Sequence, residues 1–265
     1  MAVAGWANTD RTALQMTTTW LRRARAARPR EVWVLGAVFG LVPSTLGMLP
    51  LLTGVIGLCG LMLVRTWRLR LIVTLFVVAE LLGLPWPAAP ILAAAAWFTC
   101  NSIAFGAGSW LRRPRGARLQ WLLVLAAAVG CGFVVVALDW WNISTGYVFP
   151  LPVPPTWSFP LFAIGAAIVN ALGEEALWRG LLADVGEAAT TRASNVAVQA
   201  LSFGLAHYHG IPNGPLGVVA ATVFSAFLYL VGLRLGRAGA LVAHLATDLV
   251  IFLAVIQYAQ FAWNG

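Results

Sequence analysis

Long apolar stretches separated by short arginine-rich segments run along most of this 265-residue chain. Residues 71–111 are long enough for two membrane spans of about 20 residues each, and residues 119–138 for one. Residues 32–64 are too long for one straight span and short for two, and Pro43 and Pro50 predict a tight hairpin there. Further spans are predicted at residues 158–182, 193–208, 216–233 and 238–258. The pattern predicts an all-α polytopic membrane bundle of eight or nine transmembrane helices.

Composition supports a multi-pass integral membrane protein. Hydrophobic residues make up 60% of the chain and charged residues only 10%, whereas a soluble domain carries about 25% charged residues. All 17 basic residues are arginine, and they cluster between the apolar stretches. Clusters in such positions orient a protein in the bilayer, with the basic segments on the cytoplasmic side, so the net charge of +8 does not indicate nucleic-acid binding. The absence of lysine hints at a GC-rich genome and predicts a bacterial inner membrane.

The chain divides into three parts. Residues 1–30 form a basic cytoplasmic segment, in which residues 13–27 are either an interfacial amphipathic helix or a basic tail. Residues 31–157 hold the N-terminal transmembrane helices, and residues 158–265 hold the segment that carries the candidate chemistry. The three cysteines all lie in apolar stretches and show neither a disulfide framework nor metal-ligand spacing. They are Cys59, Cys100 and Cys131.

Two adjacent carboxylates and an arginine interrupt the apolar stretch at residues 158–182: Glu174, Glu175 and Arg179. On insertion scales, one charged group at the centre of a membrane helix costs about 2.5–3.5 kcal/mol, so three such groups must pair or line a polar site. Glu175 and Arg179 are four residues apart and share a helix face, which predicts an ion pair. Glu174 is rotated by about 100° from Glu175 and is therefore the carboxylate left for chemistry.

Two histidines lie on other apolar segments, each with a partner four residues away. Phe203 and His207 share one helix face, and His244 and Asp248 share another. A carboxylate and two imidazoles suit hydrolysis, with Glu174 as general base on a water and the imidazoles positioning that water or stabilising an oxyanion. Glu174, His207 and His244 also form a familiar zinc ligand set with an open position. The spacing leaves both alternatives open.

Other interpretations of these polar residues predict different sequence features. A small transporter using Glu174 and the histidines as a proton relay would be expected to show inverted repeats, and the sequence shows none. Glu80 stands alone in another apolar stretch, near a proline turn, and is interpreted as structural. Gly36 and Gly40 fit the small-residue pattern of close helix contacts, although chance explains the spacing equally well.

The ordered motifs resemble those of the CPBP (ABI) family of intramembrane proteases, which includes the type II CAAX prenyl endopeptidases and proteins linked to bacteriocin processing and immunity. That family's pattern is E-E-x-x-x-R, then F-x-x-x-H, then H-x-x-x-[ND]. This chain supplies all three over residues 158–256, together with the usual glycine after the arginine, Gly180. The last position is often Asn and here is Asp248, which cannot donate a hydrogen bond when ionised.

The resemblance implies an endopeptidase that cleaves a peptide bond of a membrane-associated protein or peptide. Carried over, Glu174 activates water with His207, while His244 and Asp248 stabilise the oxyanion or the water. Glu175, Arg179 and Phe203 support the site. Family members are described both as glutamate proteases and as metalloproteases; the metal-free interpretation is favoured, and Zn²⁺ held by Glu174, His207 and His244 is the alternative. A non-catalytic immunity or scaffold protein of the same fold is the remaining alternative.

Overall fold

The computed structural model describes residues 28–46, 50–84, 87–100, 118–144 and 158–264, and these are helical, without a strand. The α-helices are α1 (Pro29–Leu46), α2 (Pro50–Leu63), α3 (Trp67–Leu81), α4 (Ala88–Cys100), α5 (Arg118–Leu138), α6 (Trp140–Ser144), α7 (Phe159–Glu175), α8 (Ala183–Ala189), α9 (Arg192–Ala206), α10 (Gly214–Leu235) and α11 (Arg237–Asn264). Residues 13–27, predicted as an amphipathic helix or a basic tail, lie outside the described residues.

Four helical segments of the described part are long and apolar enough to cross a membrane. They are Arg118–Leu138, Phe159–Ala189, Gly214–Leu235 and Arg237–Gln257. Two shorter apolar helices, Leu51–Leu63 and Ala88–Thr99, lie in the N-terminal half. The prediction of an all-α membrane protein is confirmed, and the count of eight or nine transmembrane helices stays a prediction.

The first predicted hairpin consists of two packed helices, α1 and α2. Pro50 opens α2, a position where the missing proline N–H costs nothing because it has no intrahelical acceptor. Pro43 lies inside α1 rather than at the turn. Helix α1 also packs against α9: a Cβ on Gly40 would stand 2.9 Å from the carbonyl oxygen of Ser202. Gly36 and Gly40 therefore lie at a close contact between α1 and α9.

Helix α7 continues without a break into a π-helical segment, Ala176–Leu182, and then into α8. Single π-helical turns inside α-helices are rare and occur frequently at functional sites. Here the segment follows directly after Glu174 and Glu175 and carries Arg179. It packs against α4 and α9, while α7 packs along α11 and α9 packs along α10. These elements surround a polar cluster of six side chains: Glu174, Glu175, Arg179, His207, His244 and Asp248.

An ion pair between Asp184 of α8 and Arg237 at the start of α11 ties the ends of these helices together. Asp184 is buried and Arg237 is largely so. This pair joins the chain after the π-helical segment to the first turn of the helix that carries His244. It therefore helps to set the register of α7 and its continuation against α11.

Gly204 permits the closest approach between α9 and α10. A Cβ at this position would stand 2.6 Å from the carbonyl oxygen of Val218 and would collide with Thr222 Oγ1. Because one of these atoms belongs to the backbone, the helices would have to separate. We expect Gly204→Ala to lower the free energy of unfolding by about 1–3 kcal/mol, the usual cost of overpacking, as measured by denaturant titration in detergent.

Gly165 on α7 provides the matched control, since a Cβ there would meet nothing within 4 Å. Gly165→Ala is expected to leave the protein unchanged or to stabilise it by up to about 1 kcal/mol through helix propensity. Equal effects of the two substitutions would contradict the assigned packing of α9 on α10.

Candidate active site

Glu175 joins two elements at the centre of the polar cluster. Its Oε1 atom lies 3.1 Å from Arg179 Nη1 and accepts a hydrogen bond of 2.8 Å from His244 Nδ1. Glu175 and His244 are both almost completely buried. The predicted ion pair is present, and the bond to His244 adds a role that the sequence did not indicate: Glu175 fixes the orientation of that imidazole.

Arg179 connects the π-helical segment to α9 and α10. Its Nη2 atom donates to Ser225 Oγ at 3.1 Å, and its guanidinium carbon lies 4.7 Å from the ring centroid of Phe203. A guanidinium within about 6 Å of an aromatic face is attracted to it electrostatically. Ser225 was not predicted, because a lone serine in an apolar helix carries no distinguishing signal.

Phe203 is the aromatic centre of the site. Its ring centroid lies 4.3 Å from that of His207, 5.8 Å from that of His244 and 5.1 Å from that of Trp178. The Trp178 indole in turn donates to Ser202 Oγ at 2.9 Å. The buried ring of Phe203 therefore packs against both imidazoles.

His207 lies where α9 ends and a short 3-10 turn, His207–His209, begins. Its Nδ1 atom bonds to the carbonyl oxygen of Phe203 at 2.8 Å, so Nδ1 carries a proton. In the neutral imidazole, Nε2 is then an acceptor. The side chain of His207 is 21% exposed and so forms the accessible edge of the site.

Glu174 stands between the two imidazoles. Its Oε2 atom is 3.3 Å from His244 Nε2, and its Oε1 atom is 3.8 Å from His207 Nε2. The second distance is too long for a direct hydrogen bond. Glu174 is 1% exposed. The structure thus brings together the three residues that the sequence predicted to converge from three separate helices.

Asp248 completes the cluster from α11, one turn after His244. Its Oδ1 atom lies 3.5 Å from His244 Nε2, and its Oδ2 atom accepts a hydrogen bond of 3.0 Å from Asn170 Nδ2. Sequence reasoning missed Asn170. A signal was present, because Asn170 precedes Glu174 by four residues and so shares its helix face.

Residues 156–250 match the family model of the Rce1-like type II CAAX prenyl endopeptidases. The matched segment contains every residue of the cluster, from Asn170 to Asp248, and the resemblance seen in the three motifs is confirmed over this Rce1-like segment. No curated protein and no solved structure matches the chain.

Two further polar residues, Glu80 and His209, do not join the cluster. Glu80 lies on α3, outside the Rce1-like segment, and it is buried. None of the ion pairs described for the cluster involves it. His209 Nε2 bonds to the carbonyl oxygen of Ser44 at 3.0 Å, which ties the 3-10 turn to the end of α1.

The Rce1-like segment buries more acidic groups than fixed positive charges. Three carboxylates share the site with a single guanidinium and two imidazoles: Glu174, Glu175, Asp248, Arg179, His207 and His244. Uncompensated buried charge is strongly destabilising. Both ring nitrogens of His244 face carboxylate oxygens, so positive charge on this imidazole would offset part of the excess.

In the part of the chain that the structure describes, no group of three or more His, Cys, Asp or Glu side chains has an arrangement suited to holding a metal ion. The set Glu174, His207 and His244, predicted as the zinc alternative, does not form such a group.

Proposed function

We propose that the chain is an intramembrane endopeptidase that hydrolyses a peptide bond of a membrane-associated protein or peptide, with Glu174 activating water. One observation carries the proposal. Glu174 Oε1 and His207 Nε2 are two acceptors 3.8 Å apart, at the accessible edge of an otherwise buried site. A water molecule between them can donate one hydrogen to each atom and direct a lone pair outward, toward a carbonyl carbon.

Hydrolysis then follows by general acid–base catalysis. The water oxygen attacks the carbonyl carbon of the scissile bond; a C–O bond forms, and the proton passes to Glu174. The resulting tetrahedral oxyanion collapses and breaks the C–N bond. Glu174 returns its proton to the leaving amine nitrogen, giving one amine product and one carboxylic acid, which then loses its proton to solvent.

His244 is the group that stabilises the oxyanion. His244 Nε2 lies 3.3 Å from Glu174 Oε2, close to where the oxyanion forms, and its ring is held from the other side by Glu175. Preorganised donors of this kind contribute strongly to catalysis. Since an ionised Asp248 cannot donate, its role is to orient His244 rather than to bind the oxyanion.

The resemblance favours a substrate cleaved near its end, and prenylated peptides that end in a CAAX sequence are the theme of the family's eukaryotic members. A bacterial sorting signal or a peptide precursor is the alternative substrate. We place the protein in a bacterial inner membrane with eight or nine transmembrane helices and a cytoplasmic basic segment at residues 1–30. Residues 31–157 support the catalytic core at residues 158–265.

Purified protein in lipid vesicles tests this function. Farnesylated CAAX-terminated peptides, the same peptides without the lipid, and hydrophobic membrane-spanning peptides are incubated with the vesicles, and products are identified by mass spectrometry. A single internal cut in at least one class is expected. Intact peptides in all three classes, with folded protein, would favour the non-catalytic scaffold alternative.

Cleavage is expected to proceed unchanged in the presence of chelators, because the mechanism uses side chains alone. The measurement compares initial rates after dialysis against EDTA or 1,10-phenanthroline with rates in untreated vesicles. The free energy of unfolding is followed in parallel, so that loss of structure is recognised. A loss of activity that Zn²⁺ restores would overturn the metal-free mechanism.

A further inference from the structure

Asn170 donates a hydrogen bond to Asp248 between α7 and α11, and the proposed mechanism gives Asn170 no role. Asn170 stands one helical turn before Glu174 on α7, and Asp248 stands one turn after His244 on α11. The Nδ2 atom of Asn170 donates to Asp248 Oδ2 at 3.0 Å, while the other oxygen of Asp248 is 3.5 Å from His244 Nε2. The two helices thus face each other through two stacked polar pairs.

Two carboxylates lie near the same imidazole nitrogen, so a hydrogen-bond donor is needed to hold one of them in place. Carboxylate oxygens of Glu174 and Asp248 both approach His244 Nε2, at 3.3 and 3.5 Å. Because both carboxylates approach the same nitrogen atom, their negative charges repel each other. In a buried site this repulsion is weakly screened. An amide N–H is a donor whatever the protonation state of its neighbours, so a hydrogen bond from Asn170 holds Asp248 in place independently of His244.

We propose that Asn170 is a positioning residue: its amide fixes Asp248 so that Asp248 Oδ1 faces His244 Nε2 and keeps the imidazole aligned with the oxyanion. The inference rests on the proposed function and names a residue that acts through Asp248 rather than on substrate. If Asn170 has this role, the amide and the carboxylate can exchange places between α7 and α11. When Asn170→Asp and Asp248→Asn are combined, the interhelical hydrogen bond runs in the opposite direction, and the side-chain oxygen of the relocated amide still faces His244.

The exchange gives a direct test in vesicles that hold the full chain. Asn170→Asp places two carboxylates against each other and is expected to lower kcat about tenfold or more, with KM changed less than about twofold. The double variant Asn170→Asp with Asp248→Asn is expected to recover to within about threefold of wild type. Asn170→Ala removes the donor without adding charge and is also expected to lower kcat. It replaces Asn170→Asp in the test if that variant does not fold.

A second readout separates this inference from the proposed function. In protein labelled with ¹⁵N-histidine, Asn170→Ala and Asn170→Asp are expected to shift the Nε2 resonance of His244 and to leave that of His209 unchanged, and the exchanged double variant is expected to restore the His244 signal. These shifts are measurable even if no peptide is cleaved. An unmoved His244 resonance, unchanged kcat in both single variants, or a folded double variant without recovery would overturn the positioning role.

Discussion

Glu174→Gln is expected to reduce the rate of peptide cleavage by about 10²–10⁴-fold, the usual contribution of a positioned general base. The amide keeps the size of the side chain but cannot take a proton from water. It also turns one of the two acceptors that hold the water into a donor or a weaker acceptor. The measurement is kcat in lipid vesicles at saturating peptide, with KM determined for the same preparation.

Glu80→Gln is the matched control, because Glu80 is also a buried glutamate in an apolar helix but lies outside the cluster. It is expected to leave kcat within about twofold of wild type. Similar losses in the two variants would mean that the effect reflects removal of a buried carboxylate in general. Retained cleavage in folded Glu174→Gln would contradict the assignment of the base.

Arg179→Met is expected to lower the free energy of unfolding by about 3–5 kcal/mol, since removing one partner of a buried ion pair leaves the other charge uncompensated. Arg179 is 4% exposed and Glu175 is fully buried, so water cannot replace the lost partner. The contacts to Ser225 and Phe203 are lost with it. Denaturant titration in detergent, monitored by circular dichroism and tryptophan fluorescence, measures the change.

A second substitution distinguishes loss of charge balance from loss of packing. Adding Glu175→Gln to Arg179→Met removes the stranded carboxylate and is expected to recover part of the lost stability. Arg234→Met, at an exposed arginine of α10, is the surface control and is expected to stay within about 0.5 kcal/mol of wild type. A double variant less stable than Arg179→Met would show that the pair does not balance charge as described.

The parts of the site that the sequence predicted depend on short-range helix geometry. Glu175 and Arg179 are four residues apart, and so are Phe203 and His207; each pair shares a helix face whatever the rest of the fold does. The helices α5 and α10 follow from apolar runs of spanning length. The local spacing of residues along the chain was therefore sufficient to predict these features.

The remaining features depend on tertiary packing. The bond from His244 to Glu175 and the approach of Arg179 to Ser225 join different helices, so no spacing within one helix predicts them. The π-helical segment at Ala176–Leu182 changes which residues face the core. No pattern in its sequence distinguishes it from an ordinary α-helix. Asn170 was detectable in principle from its position four residues before Glu174, and its function became visible only with Asp248 opposite.

A single-turnover cleavage in H₂¹⁸O tests most directly whether water held at Glu174 attacks the peptide bond. Mass spectrometry of the products and of the protein locates the label. Direct attack predicts one ¹⁸O in the newly formed carboxylate of the peptide and none in the side chain of Glu174. An ¹⁸O-labelled Glu174, or a hydroxamate product when hydroxylamine is added, would reveal an acylated enzyme and contradict the account.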